Sequence, residues 1–265
     1  MTSVEPSVSY DQLVQPFSEP RLSHYLALAN GDKALALRLY LWNGQICQTM
    51  YMATQTVEVV LRNALLAALT EEIGPAWYED AGFLSQRPDS HKRNLANALN
   101  DIQNSSDKTV SPGRVVARLP FGFWTHLLAK GQRSKIFRKK RLAERIPLLL
   151  TAVIQQALAD RRIASKTPVS SHRPTLFRPY GTRGHVDRKM LVDAGDWAED
   201  LLLQKGLLVK SFRDRVAHHR PVHDHAPHAV HDACLEIAGW LSLSARMFIH
   251  ENCNIRATLE GRPRS

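Results

Sequence analysis

The chain has 265 residues, 44% of them hydrophobic, enough to bury a full core as one large domain or two small ones. Its formal net charge is +10, which points to an anionic partner, and no apolar run approaches the length needed to cross a membrane. No basic-then-apolar signal pattern opens the chain, and three cysteines (Cys47, Cys234 and Cys253) without paired spacing argue against a disulfide framework, so a cytoplasmic protein with small buried thiols is expected.

Residues 1–17, with Pro6 and Pro16, read as a loose leader. Ser18-Glu19-Pro20-Arg21 then carries a capping residue with proline inside the first turn, and Leu22, Tyr25, Leu26 and Leu28 follow at helical intervals. Gly31-Asp32 restarts the chain into a second amphipathic helix marked by Leu35, Leu39, Trp42 and Ile46. A third is predicted from Tyr51 to Ile73, with Val57, Val60, Leu61, Ala64 and Ala68 as its stripe and Gly74-Pro75 as its stop. Residues 88–104 suit another helix and 105–107 a loop; the aromatic run from Val115 to Trp124 reads as core or interface. Further helices are expected over 141–160, 194–219 and 227–251, the last with Val230, Cys234, Ile237, Leu241 and Phe248 as its apolar face. Residues 164–190 are rich in proline, glycine and basic side chains and read as a long basic loop, and 252–265 as a tail. No strand-like alternation is evident. The fold class is all-α, with one helical domain over 18–251.

Between Lys130 and Lys189 there are sixteen Lys or Arg residues against Glu144, Asp160 and Asp187, so the positive charge is localised. That distribution is expected of a nucleic-acid contact, because each neutralised phosphate releases condensed counterions. Within this region Lys139, Lys140, Arg141 and Arg183, and further on Arg215 and Arg220, are the candidate RNA contacts; a solvated basic linker is the competing reading.

The most informative segment is Phe212-Arg213-Asp214-Arg215-Val216-Ala217-His218-His219-Arg220-Pro221-Val222. Arg213 can hold a phosphate through a fork of donors, and an imidazole can move a proton near neutral pH. On a helix Asp214 and His218 share a face, so the carboxylate could orient the ring, while Pro221 ends the helix and places both histidines in its last turn. Leu208, Val209, Phe212 and Val216 define the expected buried stripe; His219 projects along it and reads as a hydrogen-bonded histidine at the core edge. His218 points away and is the catalytic candidate, with His219 as the secondary one.

Four segments in order resemble the Abi-like (abortive infection) family of the HEPN superfamily: Tyr40-Leu41-Trp42-Asn43, Glu58-Val59-Val60-Leu61-Arg62-Asn63-Ala64, Leu119-Pro120-Phe121-Gly122-Phe123-Trp124, and Arg213-Asp214-Arg215-Val216-Ala217-His218-His219. The resemblance implies a HEPN-like helical bundle with additional helices, and a metal-independent endoribonuclease acting as a toxin or antiphage effector. It implies Arg213 and His218 as the catalytic pair, Asp214 as the polar residue after the arginine, and a homodimer in which two motifs face each other. An antitoxin or a phage-derived trigger is the further partner it implies, and no cofactor. The family commonly has asparagine at the position of Asp214 and an acid at that of Arg220; the aspartate could repel a phosphate and Arg220 would offset it. Glu58, Arg62 and Asn63 fall in a matching segment and are expected to brace the site or the dimer, with Glu58 and Arg62 otherwise an ordinary surface pair. Trp42, Asn43 and Trp124 are read as structural.

Two other readings compete. A non-catalytic RNA- or nucleotide-binding module of the same superfamily would bind RNA without cutting it. His218, His219, His223, His225, His228 and His231 offer metal-ligand spacings, but no cysteine or carboxylate joins them in a recognised pattern, so they read as a solvent-facing histidine-rich segment and no metal is expected. A phosphate-binding P-loop is excluded, since no Gly-rich Lys-Ser/Thr motif occurs.

Overall fold

The computed structural model describes residues 8–164 and 188–264, and all regular structure among them is helical. The chain splits into two compact units, Met1–Val57 with Leu208–Glu236 and Ser244–Ser265, and Glu58–Leu207 with Ile237–Leu243, where the sequence suggests one domain over 18–251. None of the helices is long and apolar enough to cross a membrane, among the described residues. Residues 165–187, which hold Arg183 and most of the expected basic loop, lie outside the described residues; the loop's expected ends, Ala164 and Arg188–Met190, are helical.

The first unit begins with α1 (Tyr10–Phe17), in the stretch that reads as a leader. Two features order it: a reciprocal capping box between Ser9 and Gln12, and Tyr10, buried to 6% exposure. Next come α2 (Glu19–Leu28) and the part of α3 (Lys33–Glu72) up to Val57, the rest of α3 belonging to the second unit. The sequence predicts two helices where α3 is one. Its buried positions Leu35, Leu39, Trp42, Ile46, Met50, Ala53 and Val57 keep a single register of threes and fours, and no proline interrupts them. Gly44 alone costs only about 1 kcal/mol and does not break a helix whose buried face continues past it.

The other helices of this unit come from later in the chain. They are the end of α10 (Arg188–Ala217), most of α11 (Pro227–Leu241) and of α12 (Leu243–Asn252), and α13 (Ile255–Glu260). The expected helix over 227–251 is therefore two, broken at Ser242. The expected tail is largely helical, since Ile255 is buried and the Asn254 side chain caps the Ala257 N–H. The Trp42 indole donates to the Thr258 carbonyl at 2.7 Å, and the Thr49 and Thr258 hydroxyls lie 3.1 Å apart.

In the second unit follow α4 (Ala81–Ser85), α5 (Asp89–Gln103), α6 (Pro112–Arg118), α7 (Phe121–Leu127), α8 (Lys130–Ile136), a 3₁₀ turn at Ala143–Arg145 and α9 (Pro147–Ala164). The aromatic segment is core. Trp77 packs edge-on against Phe83 and Trp124 at 5.6 and 6.0 Å between ring centres, and Phe121, Phe123 and Trp124 are all buried. The His91 ring stacks on Phe123 at 4.5 Å, with its Nε2 2.7 Å from the His126 Nδ1.

The basic stretch after residue 130 meets acids that lie far away in sequence. Arg133, 3% exposed, donates to Glu199 at 2.7 Å and to Asp200 at 2.6 Å. Arg145 pairs with Glu72 at 2.6 Å and with Glu71, and Arg141 with Asp196 at 2.5 Å. The Glu72 carboxylate also accepts the Arg138 and Lys139 N–H groups at 3.0 and 2.8 Å. These contacts hold a segment with little regular structure of its own.

Arg133→Ala leaves Glu199 charged and buried, and is expected to cost about 3–5 kcal/mol in urea unfolding followed by circular dichroism. The buried His91 gives a pH dependence. Burial, then His126 and Arg87, push its pKa from 6.5 down to about 4, so the folded protein keeps it neutral where an unfolded chain would protonate it. Stability present above pH 6.5 is therefore lost as pH falls towards about 4, by at most roughly 1.4 kcal/mol per pH unit. His91→Gln is expected to flatten that limb of the stability profile; an unchanged slope would exclude His91 as its source.

Candidate active site

The site is built on the end of α10. Val209 and Phe212 are buried and fix the rotation of its last turns, while Leu208 is 38% exposed and Val216 only half-buried, so the buried stripe is narrower than expected. Arg213, Asp214 and Arg215 are half-buried, and His218, His219 and Arg220 are exposed.

The helix stops at Ala217, earlier than 219, and its end is a complete hydrogen-bonded cap. The Arg220 N–H reaches back to the Arg215 carbonyl at 2.8 Å and the His219 N–H to the Val216 carbonyl at 3.1 Å, with His219 at φ 54°. Histidine is among the residues that tolerate this left-handed region, which a β-branched side chain would not. Both histidines therefore lie beyond the last helical turn. His219 is exposed rather than lodged at the core edge, because the left-handed residue turns the chain off the helical path on which that expectation rests.

Three further contacts pin the turn. Arg215 Nε donates to the Pro221 carbonyl at 2.8 Å, and Arg21 Nη1 on α2 donates to the His219 carbonyl at 2.7 Å. Asn43 on α3, buried to 8% exposure, accepts the Val222 and His223 N–H groups with its Oδ1 at 2.8 and 3.3 Å. Asn43 is structural, as expected, but what it shapes is the candidate site. The signal that could have found it was its place in a matching segment. Arg21, 198 residues from its acceptor, carries no such signal.

Asp214 does not orient His218. Its carboxylate takes the Lys210 ammonium at 2.5 Å, one turn towards the helix start, and Arg213 Nη1 at 3.5 Å. Among the described residues no hydrogen bond joins it to the His218 ring. Lys210 and His218 are both four residues from Asp214, and the ammonium, which carries a full charge, makes the stronger partner for the carboxylate.

Glu58, Arg62 and Asn63 belong to the second unit, where the Arg62 Nε is buried without a hydrogen-bond partner among the described residues. Also in that unit, Lys139 donates to the Glu72 carbonyl at 2.7 Å, Arg141 is paired with Asp196, and Lys140 is exposed. Among the described residues no three His, Cys, Asp or Glu side chains are grouped to hold a metal ion.

Comparison of the chain with protein-family models, with curated proteins and with solved structures finds no match.

Chemically, an exposed imidazole follows a helix end that carries Arg213, Arg215 and Arg220 within one short segment, so phosphate binding and proton transfer are both available to it. The turn's shape depends on Asn43. Asn43→Ala leaves two backbone donors unmet and is expected to cost about 1–3 kcal/mol, with faster amide exchange at Val222 and His223 as the local readout.

Proposed function

We propose that this protein is a metal-independent endoribonuclease of the HEPN type, acting as an abortive-infection or toxin effector. What carries the reading is the Arg213-x4-His218 segment, with His218 exposed on a turn that is fixed by Arg21, Asn43 and Arg215. A proton-transfer group must be reachable, as the exposed His218 is, and these contacts hold the backbone of the turn that carries it. The four matching sequence segments favour the HEPN-like bundle over other all-α folds.

In this reaction neutral His218 accepts the proton of the ribose 2′-hydroxyl as that oxygen forms a bond to phosphorus. The bond from phosphorus to the 5′-oxygen breaks, and the leaving oxygen takes a proton from a partner subunit's histidine in the homodimer. Arg213 stabilises the charge on the phosphorane-like transition state. The products are a 2′,3′-cyclic phosphate and a 5′-hydroxyl, and DNA is not a substrate because it lacks the attacking group. Arg215, Arg220 and Lys140 are the RNA contacts retained; Arg183 keeps its place on sequence grounds alone. The setting is cytoplasmic, with an antitoxin or a phage-derived trigger as regulator.

A non-catalytic RNA- or nucleotide-binding module is the second reading, favoured by one observation: Asp214 is paired with Lys210, and among the described residues no hydrogen bond joins it to His218 to fix the tautomer.

The two readings separate in a single assay. Wild type is expected to cut RNA into cyclic-phosphate ends with chelator present, His218→Ala to lose about 10²–10⁴ in rate, and Arg213→Ala about 10²–10³. Salt-sensitive binding that leaves RNA intact over hours would select the binding module, and robust cleavage by His218→Ala would overturn the catalytic assignment.

A further inference from the structure

Two imidazoles that the proposed chemistry does not use meet in the first unit. His24 on α2 and His223, in the turn after Pro221, bring their Nε2 atoms to 3.2 Å, with ring centres 5.4 Å apart and ring planes 29° apart. Two zinc–nitrogen bonds of about 2.0–2.1 Å at a tetrahedral angle would hold the nitrogens roughly 3.3 Å apart, and at a right angle about 2.9 Å. The observed spacing falls between these limits, so the two nitrogens stand at a distance that fits one ion once the proton of the N–H···N contact is released and the rings tilt towards it.

The surroundings suit a cation bound to neutral rings. Both histidines are half-buried, and the His223 ring lies 5.9 Å from that of Trp42 and 6.0 Å from that of Tyr25. Asp224 adds a neighbouring negative charge, with its carboxylate 2.6 Å from the His225 Nδ1. Arg262, stacked over the Trp42 ring at 5.7 Å, acts in the opposite sense.

We propose that His24 and His223 together bind a zinc ion through their Nε2 atoms, with water completing its coordination. Two protein donors make an exchangeable site, weaker than a closed structural one. Bound zinc would tie α2 to the turn that carries His218 and His219, reinforcing the Arg21 bond to the His219 carbonyl. It supplies no group to RNA cleavage, and the turn keeps its contacts to Asn43 and Arg215 when the ion is removed. The proposal therefore stands apart from the ribonuclease reading, and its readout is metal uptake.

The test is calorimetric titration of zinc into the tag-free full-length protein after chelator treatment, at neutral pH. One equivalent is expected to bind to wild type, with affinity falling at least about tenfold in His24→Gln and in His223→Gln and unchanged in His225→Gln and His228→Gln. Nitrogen NMR of the histidine rings in wild type gives an answer that needs no variant: zinc should shift the Nε2 resonances of His24 and His223 together. Zinc uptake that survives both glutamine substitutions, shifts confined to other histidines, or no uptake at all would each overturn the proposal, leaving the pair as a plain N–H···N hydrogen bond.

Discussion

Pro221 denies α10 another turn, so the last carbonyls of that helix have to find donors outside the helical ladder. His219 and Arg220 supply two of them by folding back, at the cost of a left-handed residue, and that reversal sets the direction in which the chain leaves. The chain then runs where Asn43 can take its next two N–H groups and Arg21 and Arg215 its carbonyls. The exposure of His218, the meeting of His223 with His24, and the separation of both histidines from the core all trace to this one stop signal. A helix continued for another turn would carry His219 along the face of Val209 and Phe212.

What the sequence revealed of the fold depended on whether the signal was local. The helix expected over 88–104 is found at Asp89–Gln103, and the aromatic run ending at Trp124 is core, because spacing and hydrophobicity alone decide such elements. The split of α3 was misread for a related reason: the stripe of Ile46, Met50 and Ala53 is continuous, but the polar residues between them mask it. The leader and the tail were misjudged because a single buried anchor in each, Tyr10 and Ile255, orders a segment whose composition looks loose. Of the candidate site, the residue types and the stop at Pro221 were legible. The partner of Asp214 was not, since Lys210 and His218 stand four residues away on either side and only side-chain placement distinguishes them.

Charge shows the same limit in another form. Counted along the chain, 130–189 is a block of positive residues; in space, Arg133, Arg141 and Arg145 are matched by Glu72, Asp196, Glu199 and Asp200, all from outside that block. The pairs of Arg133 with Glu199 and of Arg145 with Glu72 are buried, and such pairs neutralise one another and attract little from solution. Among the described residues, cations that are exposed include Lys140 on one unit and Arg220 on the other.

The order in which the segments are made gives the docking of α13 a further meaning. The second unit is drawn mostly from one uninterrupted stretch, Glu58–Leu207, and can begin to collapse while the ribosome is still at work. The first unit is assembled from three separate pieces, and Trp42 and Thr49 wait for Thr258 to arrive. The helix that carries Asn43 thus gains its full set of neighbours only as synthesis passes the end of α13. Until α13 has docked, the helix that carries Asn43, and with it the turn after Ala217, lacks the contacts of Trp42 and Thr49 to Thr258.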